Sequence, residues 1–281
     1  MNISRVTAVA ALVVAGAVAV PVGAYAHGSS KGGPDAVGLA REGTALVRFD
    51  TDRPDKAKKP VALTGLQGDE ALVGIDRRVQ NHLLYGVGDE GGLYTLARTT
   101  GRATKVGQLS VGLSGTRFGV DFNPAANALR IVSDTGQNLR QPFGTGDGPS
   151  AATVADGTLS YTGVTASGVT GAAYTNNDLA ADTATTLFVL DTTLDQVAIQ
   201  SPANSGSLAA TGKLGVDAGP AAGLDIHTTL KRGTSVASTA YAVLTVGGQP
   251  RLYSVDLLTG DAVNRGALRS GVTDLAVDLS H

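Results

Sequence analysis

The residues best placed to do chemistry are aspartates that recur on one short pattern. Gly74-Ile75-Asp76, Gly119-Val120-Asp121-Phe122 and Gly223-Leu224-Asp225-Ile226 share it. Gly171-Ala172-Ala173-Tyr174 and Asp274-Leu275-Ala276-Val277 repeat it with alanine in third place. Residues one, three and five of a strand share a face. The third position therefore offers Asp76, Asp121 and Asp225, and the fifth offers Arg78, Asn123, Thr175, His227 and Asp278. Strands standing around a common axis would bring the three carboxylates together. Hard oxygen donors of this kind suit Ca²⁺ or Mg²⁺, which makes Asp76, Asp121 and Asp225 the candidate metal ligands. A structural role competes with this one, in which each Asp accepts hydrogen bonds from backbone amides of the next repeat. Alanine at two of the five places, and Arg78 competing with a cation for the acids, favour the structural role.

Other chemistry is sparse. Asn123 and His227 lie near the acids on the same pattern, and Tyr174-Thr175-Asn176-Asn177 could present amides to a sugar or peptide, or equally cap a loop. The candidate ligand contacts are Asn123, Tyr174, Asn176 and His227. Asp134-Thr135-Gly136 has the form of an aspartic-protease triplet, but that chemistry needs two such triplets, and Asp-x-Gly reads as a tight turn. No catalytic residue is assigned. The sequence has no G-x-S-x-G elbow, H-E-x-x-H helix or Walker loop, and its histidines are His27, His82, His227 and His281. Cysteine is absent, which excludes thiol catalysis, thiolate metal sites and disulfides.

The elements that must position these residues are repetitive. Successive copies of the pattern lie 45, 52, 52 and 51 residues apart. Each is followed by further strand-like segments separated by turns: after Asp76 come Leu83 to Val87, Leu93 to Leu96, the turn Thr100-Gly101, and Lys105 to Gly107. Four short strands per repeat of 40 to 50 residues is the signature of a propeller blade. The chain opens mid-repeat, with Ala45 to Phe49 and Val61 to Leu63, and its last repeat stops after one strand, Val272 to Leu279. Pairing of those N-terminal strands with the C-terminal one closes the ring and removes a long sheet edge. The expected fold is a single all-β propeller of five blades, with six blades or a two-sheet sandwich as alternatives.

Composition agrees. Gly accounts for 38 of 281 residues, and only Glu42, Glu70 and Glu90 are glutamates among 24 acidic residues. Asp favours turns and Glu favours helices, so the bias points to strands and turns. A net charge of −2 with no basic stripe beyond Lys56-Ala57-Lys58-Lys59, which reads as loop decoration, argues against nucleic acid as a partner. At the N-terminus, Arg5 precedes the apolar run Val6 to Val20, and Ala24-Tyr25-Ala26 gives a small-x-small cleavage pattern. This is a secretory signal, too short to span a bilayer. The expected organisation is a signal peptide over 1–26, a flexible Gly/Ser/Lys/Pro-rich leader over 27–41, and a propeller domain over 42–281. Secretion follows, with no transmembrane segment after cleavage.

Phe118 to Pro124, Leu129 to Arg140, Ala172 to Asn177, Thr185 to Leu187 and Leu214 to Asp217 resemble the bacterial family catalogued as domain of unknown function 4394. The resemblance runs from about Leu46 to Leu279 and implies no activity. More distantly, the Gly-Val-x-x-Asp strand followed by a strand–Asp-x-Gly-Asn–strand hairpin is similar to NHL and lactonase-type propeller repeats. In that group some enzymes use an axial metal, usually with a Glu that the repeated strands here lack. The expectation for function is an exported, non-catalytic propeller that binds a ligand or an envelope or extracellular partner, without a cofactor. The alternative is a metal-dependent hydrolase or lactonase-like enzyme holding Ca²⁺ at the axial carboxylates.

Overall fold

A computed structural model describes residues 32–280 of the chain. The expected signal peptide and its expected cleavage site, with His27 and His281, lie outside the described residues. In chain order the strands are β1 (Asp35–Ala40), β2 (Ala45–Asp50) and β3 (Val61–Ala62). Next come β4 (Leu72–Arg77), β5 (Leu84–Gly88), β6 (Gly92–Leu96) and β7 (Ala103–Gln108), then β8 (Phe118–Asn123), β9 (Ala128–Ser133), β10 (Asn138–Pro142) and β11 (Val154–Ala155). A short hairpin, β12 (Ser160–Tyr161) and β13 (Val164–Thr165), precedes β14 (Val169–Tyr174), β15 (Leu187–Asp191), β16 (Gln196–Gln200) and β17 (Ser207–Lys213). The chain finishes with β18 (Gly219–Lys231), β19 (Thr234–Val246), β20 (Gln249–Val255), β21 (Ala262–Ala267) and β22 (Val272–Val277).

These strands make five sheets, which are the blades of a five-bladed β-propeller. Four sheets have four strands, and the one built on β14 to β17 has six because β12 and β13 join its outer side, β12 running parallel to β17. The repeated pattern supplies the first strand of every blade: β4, β8, β14, β18 and β22. Five buried apolar clusters hold the blades together, one at each blade-to-blade interface. Tyr85, Val87, Phe118, Phe122 and Ile131 fill one, and Leu190, Val197, Leu224, Ile226 and Leu244 fill another. The glycine at the first position of the pattern has a packing reason: a Cβ on Gly119 would stand 2.5 Å from the Ala172 nitrogen, so only glycine lets the two inner strands approach this closely.

Ring closure occurs as the repeat demands, but through a strand the sequence reading missed. β22 pairs antiparallel with β1, with Ala36 opposite Val277 and Gly38 opposite Leu275, and β1 pairs onward to β2. The end of the expected flexible leader, Asp35 to Ala40, is therefore a strand, and all of it except Asp35 is buried. The physical reason is composition: the Gly/Ser/Lys/Pro-rich stretch ends at Pro34, and Asp-Ala-Val-Gly-Leu-Ala is apolar enough to fill the gap beside β22. Among the described residues no helix is long and apolar enough to cross a membrane.

Candidate functional site

A propeller blade is a radial sheet, so the inner edge of its first strand faces the axis with unpaired amides. The repeated aspartates serve those amides. Asp76 on β4 accepts from the Phe122 amide of β8 at 2.7 Å, and Asp121 on β8 accepts from the Tyr174 amide of β14 at 2.9 Å. Asp225 on β18 accepts from the Val277 amide of β22 at 2.5 Å. Ala276 leaves β22 without an acid at the patterned place, and Asp274, two residues earlier on the same face, accepts from the Ile75 amide of β4 at 2.9 Å. Four of the five interfaces thus carry an aspartate clamp. At the fifth, between β14 and β18, Ala173 packs against Leu224 and Ile226, and the Ile226 amide turns to its own neighbour, Asp225, at 2.5 Å.

The same geometry crowds charge. Oxygens of Asp76, Asp121 and Asp225 lie within 4.8 Å of one another, and all three are buried. With Asp274 they form a cluster of acids between 2% and 6% exposed. Burial first, and then the neighbouring carboxylates, push Asp76 and Asp121 well above the usual range, although backbone amides act the other way. Burial likewise raises Asp274. Asp225 is pushed up to about 6 by burial, held there by the amides of Val277 and Ile226 and the charge of Arg77. The cluster is thus a site that favours protons or a cation.

The fifth-position residues do not join the acids. Arg78, Thr175 and Asp278 lie just beyond the ends of β4, β14 and β22, while Asn123 at the end of β8 and His227 within β18 are taken up by other partners. Arg78 turns away from the axis, against the expectation that it would compete for the carboxylates. It donates to Asn127 Oδ1 at 2.8 Å, to the Gly146 carbonyl at 2.7 Å and to the Gly144 carbonyl, and stacks over Phe143. The cation that does reach toward the acids is its neighbour Arg77, which also pairs with Asp278 at 2.5 Å. Asn123 accepts from the Ala126 amide and closes a turn. His227 is held between the Asp278 carbonyl, 3.0 Å from Nδ1, and Ser280 Oγ, 3.3 Å from Nε2, and burial lowers its pKa.

Tyr174 and Asn176 do not meet as a ligand site. The Tyr174 ring is buried between blades, its hydroxyl accepting from Arg130 Nε at 3.3 Å. Asn176 takes the left-handed backbone (φ 61°) and donates to the Ala184 carbonyl at 2.6 Å, while Asn177 donates to the Ile226 carbonyl at 3.0 Å, so the segment ties two blades together. Asp134 likewise serves a turn, accepting from the Thr116 amide and hydroxyl beside Gly136 at φ 87°.

Two features were not visible in the sequence. Asp274 belongs to the cluster, and its position two residues before Ala276 was the available signal. Glu42, in the β1–β2 turn, reaches the axial mouth where β4, β8, β18 and β22 begin. A cavity of about 140 Å³ opens there, lined by Glu42, Val73, Phe118, Ala222 and Thr273. Glu42 pairs with Arg117 at 3.2 Å.

Five blades closed by a shared first blade around a carboxylate-lined axis define a β-propeller. Residues 45–276 match the family described as Domain of unknown function (DUF4394), and the chain belongs to it. No curated protein matches the sequence. Among solved structures, the chain is similar to an auxiliary nutrient binding protein from Bacteroides ovatus, at a TM-score of 0.43 and 14% identity over 62% of this chain and 43% of that one. A protein of unknown function from Bacteroides thetaiotaomicron gives a TM-score of 0.46 and 15% identity over 89% and 66%. Glutaminyl cyclase from Myxococcus xanthus gives 0.44 and 15% over 80% and 92%. The chain spans under half the length of the nutrient binding protein. Likenesses at these scores transfer no activity.

Proposed function

We propose that this chain is an exported, non-catalytic β-propeller that binds a ligand or partner outside the cytoplasm. One observation carries the reading: the side chains that could do chemistry are spent on the fold. Four aspartates clamp neighbouring inner strands, Arg78 and Arg130 are locked in buried networks, and His227 is held between a carbonyl and a serine. The N-terminal charge, apolar run and Ala24-Tyr25-Ala26 pattern support export with cleavage after Ala26. The test has two arms. Mass spectrometry of secreted protein should give a mature N-terminus at His27. A thermal-shift screen of the purified chain against small molecules and glycans should return a stabilising ligand, while a panel of ester, lactone and phosphoester substrates should not turn over. Retention in the membrane fraction would remove the export half, and turnover of a substrate would remove the non-catalytic half.

A second reading rests on the 4.8 Å convergence of Asp76, Asp121 and Asp225. Buried, mutually repelling carboxylates are the donor set a hard divalent cation takes, so the residues fit Ca²⁺, with these three Asp holding it. A cation there would polarise a bound carbonyl or water, as in a lactonase-like hydrolase. Ca²⁺ should then raise the melting temperature, and Asp121→Asn should abolish the rise. An unchanged melt with Ca²⁺ and with chelator would exclude this reading.

A further inference from the structure

We propose that the β18–β19 ribbon and the loop that supports it insert apolar side chains into an anionic lipid surface, docking the propeller on a membrane by one end of its axis. The inference deepens the partner-binding reading above by naming the partner. It begins with strand length. β4, β8, β14 and β22 stop three or four residues after the first residue of the pattern, whereas β18 runs eight past Gly223, to Lys231. β20 accompanies β19 only as far as Ala240, opposite Val255, so Thr234 to Thr239 have β18 alone beside them. A bare two-stranded ribbon contributes little stability by itself, so closing the ring does not call for this overshoot. The loop after β14 holds the ribbon in place. Asp178, 5% exposed, accepts from the Ser235 amide at 2.8 Å and from the Ser235 hydroxyl, and Asn177 donates to the Ile226 carbonyl.

The supported ribbon presents apolar groups to solvent. Val236 is 57% exposed and Leu179, on the supporting loop, 60%. Beyond the ends of β4 and β22, Leu179 lines a cavity of about 200 Å³ with Leu230 and Gly233 of the ribbon and with Val79 and Leu279. Leu83, in the turn after β4, and Leu258, in the turn after β20, are exposed at the same end of the ring, because both strands run toward it. Exposed apolar side chains gathered at one place mark an interaction surface. The ribbon's charges choose the partner. Lys231 and Arg232 are exposed at its tip, where Arg232 (φ 55°) and Gly233 (φ 80°) make the turn, and no acid lies between Thr228 and Thr239. Neither cation pairs with a carboxylate among the described residues. Asp182 is the exposed acid of the supporting loop, which leaves one net positive charge. Separate apolar side chains, flanked by cations and by the hydroxyls of Thr229, Thr234 and Ser238, suit the boundary between acyl chains and anionic headgroups. That boundary deforms around a tip as a folded partner does not.

The chain has no tryptophan, so Val236→Trp places one reporter on the ribbon. With vesicles of phosphatidylcholine containing about one-third phosphatidylglycerol, its emission should shift to the blue and resist aqueous quenchers. Purified secreted protein should sediment with these vesicles about fivefold more tightly than with phosphatidylcholine alone, the effect of one net charge at the surface. Lys231→Gln with Arg232→Gln should abolish that preference, and so should salt at about 0.5 M. Leu179→Ser with Val236→Ser should weaken binding to both vesicles about tenfold or more. All four positions are exposed, so melts should stay unchanged. Leu194→Ser, which removes an exposed leucine from the turn after β15 at the opposite end of the ring, should bind like the parent. The proposal is overturned if the protein does not bind vesicles at millimolar lipid or if the Val236→Trp emission stays put. It is overturned equally if the ribbon variants bind like the parent, or if Leu194→Ser weakens binding as much as they do. Absence of vesicle binding with a hit in the thermal-shift screen removes this surface alone, whereas an empty screen as well removes the binding reading too.

Discussion

Asp121 separates the two jobs of the axial acids, because a single accepted amide defines its structural role. Asp121→Asn keeps an oxygen for the Tyr174 amide, now 2.9 Å from Oδ1, while removing one negative charge from a buried group of four. Asp121→Ala removes the charge and the acceptor together, leaving a buried amide unpaired, at a cost of about 1–3 kcal/mol. The two variants should therefore differ by that amount at every pH. The charge shows up in the pH dependence. A carboxyl whose folded pKa is raised binds its proton more tightly folded than unfolded, so its contribution is fully present below the unfolded value and is lost as pH rises through the folded one. For Asp225 that window runs from 3.8 to about 6, and two units correspond to ~3 kcal/mol. In a domain of this size ~3 kcal/mol moves the melting temperature by roughly 6–12 °C. With chelator present, the parent should melt lower at pH 7.5 than at pH 4.5, and Asp121→Asn should lose less over the same interval, by the share that the raised Asp121 carboxyl contributes, while the Asp225 share remains. Urea or thermal melts at the two pH values, with and without chelator, provide the measurement. Equal stability of the Asn and Ala variants would refute the clamp. A parent melt flat with pH in chelator would refute the account of uncompensated buried charge.

Asp156 should be costly to lose. It pairs with the buried Arg130 at 2.7 Å and with Arg140 at 3.0 Å, and Asp156→Ala strands a buried guanidinium at ~3 kcal/mol, measurable by urea unfolding. Removing Asp35 to Ala40 should expose the edge of β22 and cause aggregation or loss of cooperative unfolding, whereas a chain beginning at Gly32 should melt like the parent; light scattering and calorimetry distinguish the two. Ala173→Asp restores the patterned acid but should destabilise, because the site is a fully buried part of an apolar cluster and the Ile226 amide already has an acceptor; an unchanged or raised melting temperature would contradict this.

The sequence determined the repeat, and with it the fold. A pattern returning at 45 to 52 residues with strand and turn signals between copies leaves few ways to bury every apolar face except five blades in a ring. It also determined that Asp76, Asp121 and Asp225 meet, since equivalent positions on inner strands must face one axis. Local alternation extends only as far as the strand does, and so misled about Arg78 at the fifth position. β4 ends at Arg77, and Arg78 leaves the axis for the blade interface. The use of β1 as the closing strand was decided by tertiary structure, because six residues of ordinary composition become a strand only when the unpaired edge of β22 is there to receive them. Asp274 is a similar case: whether an acid two residues out of register can still reach a neighbouring amide depends on the lateral offset of blades, which periodicity does not encode.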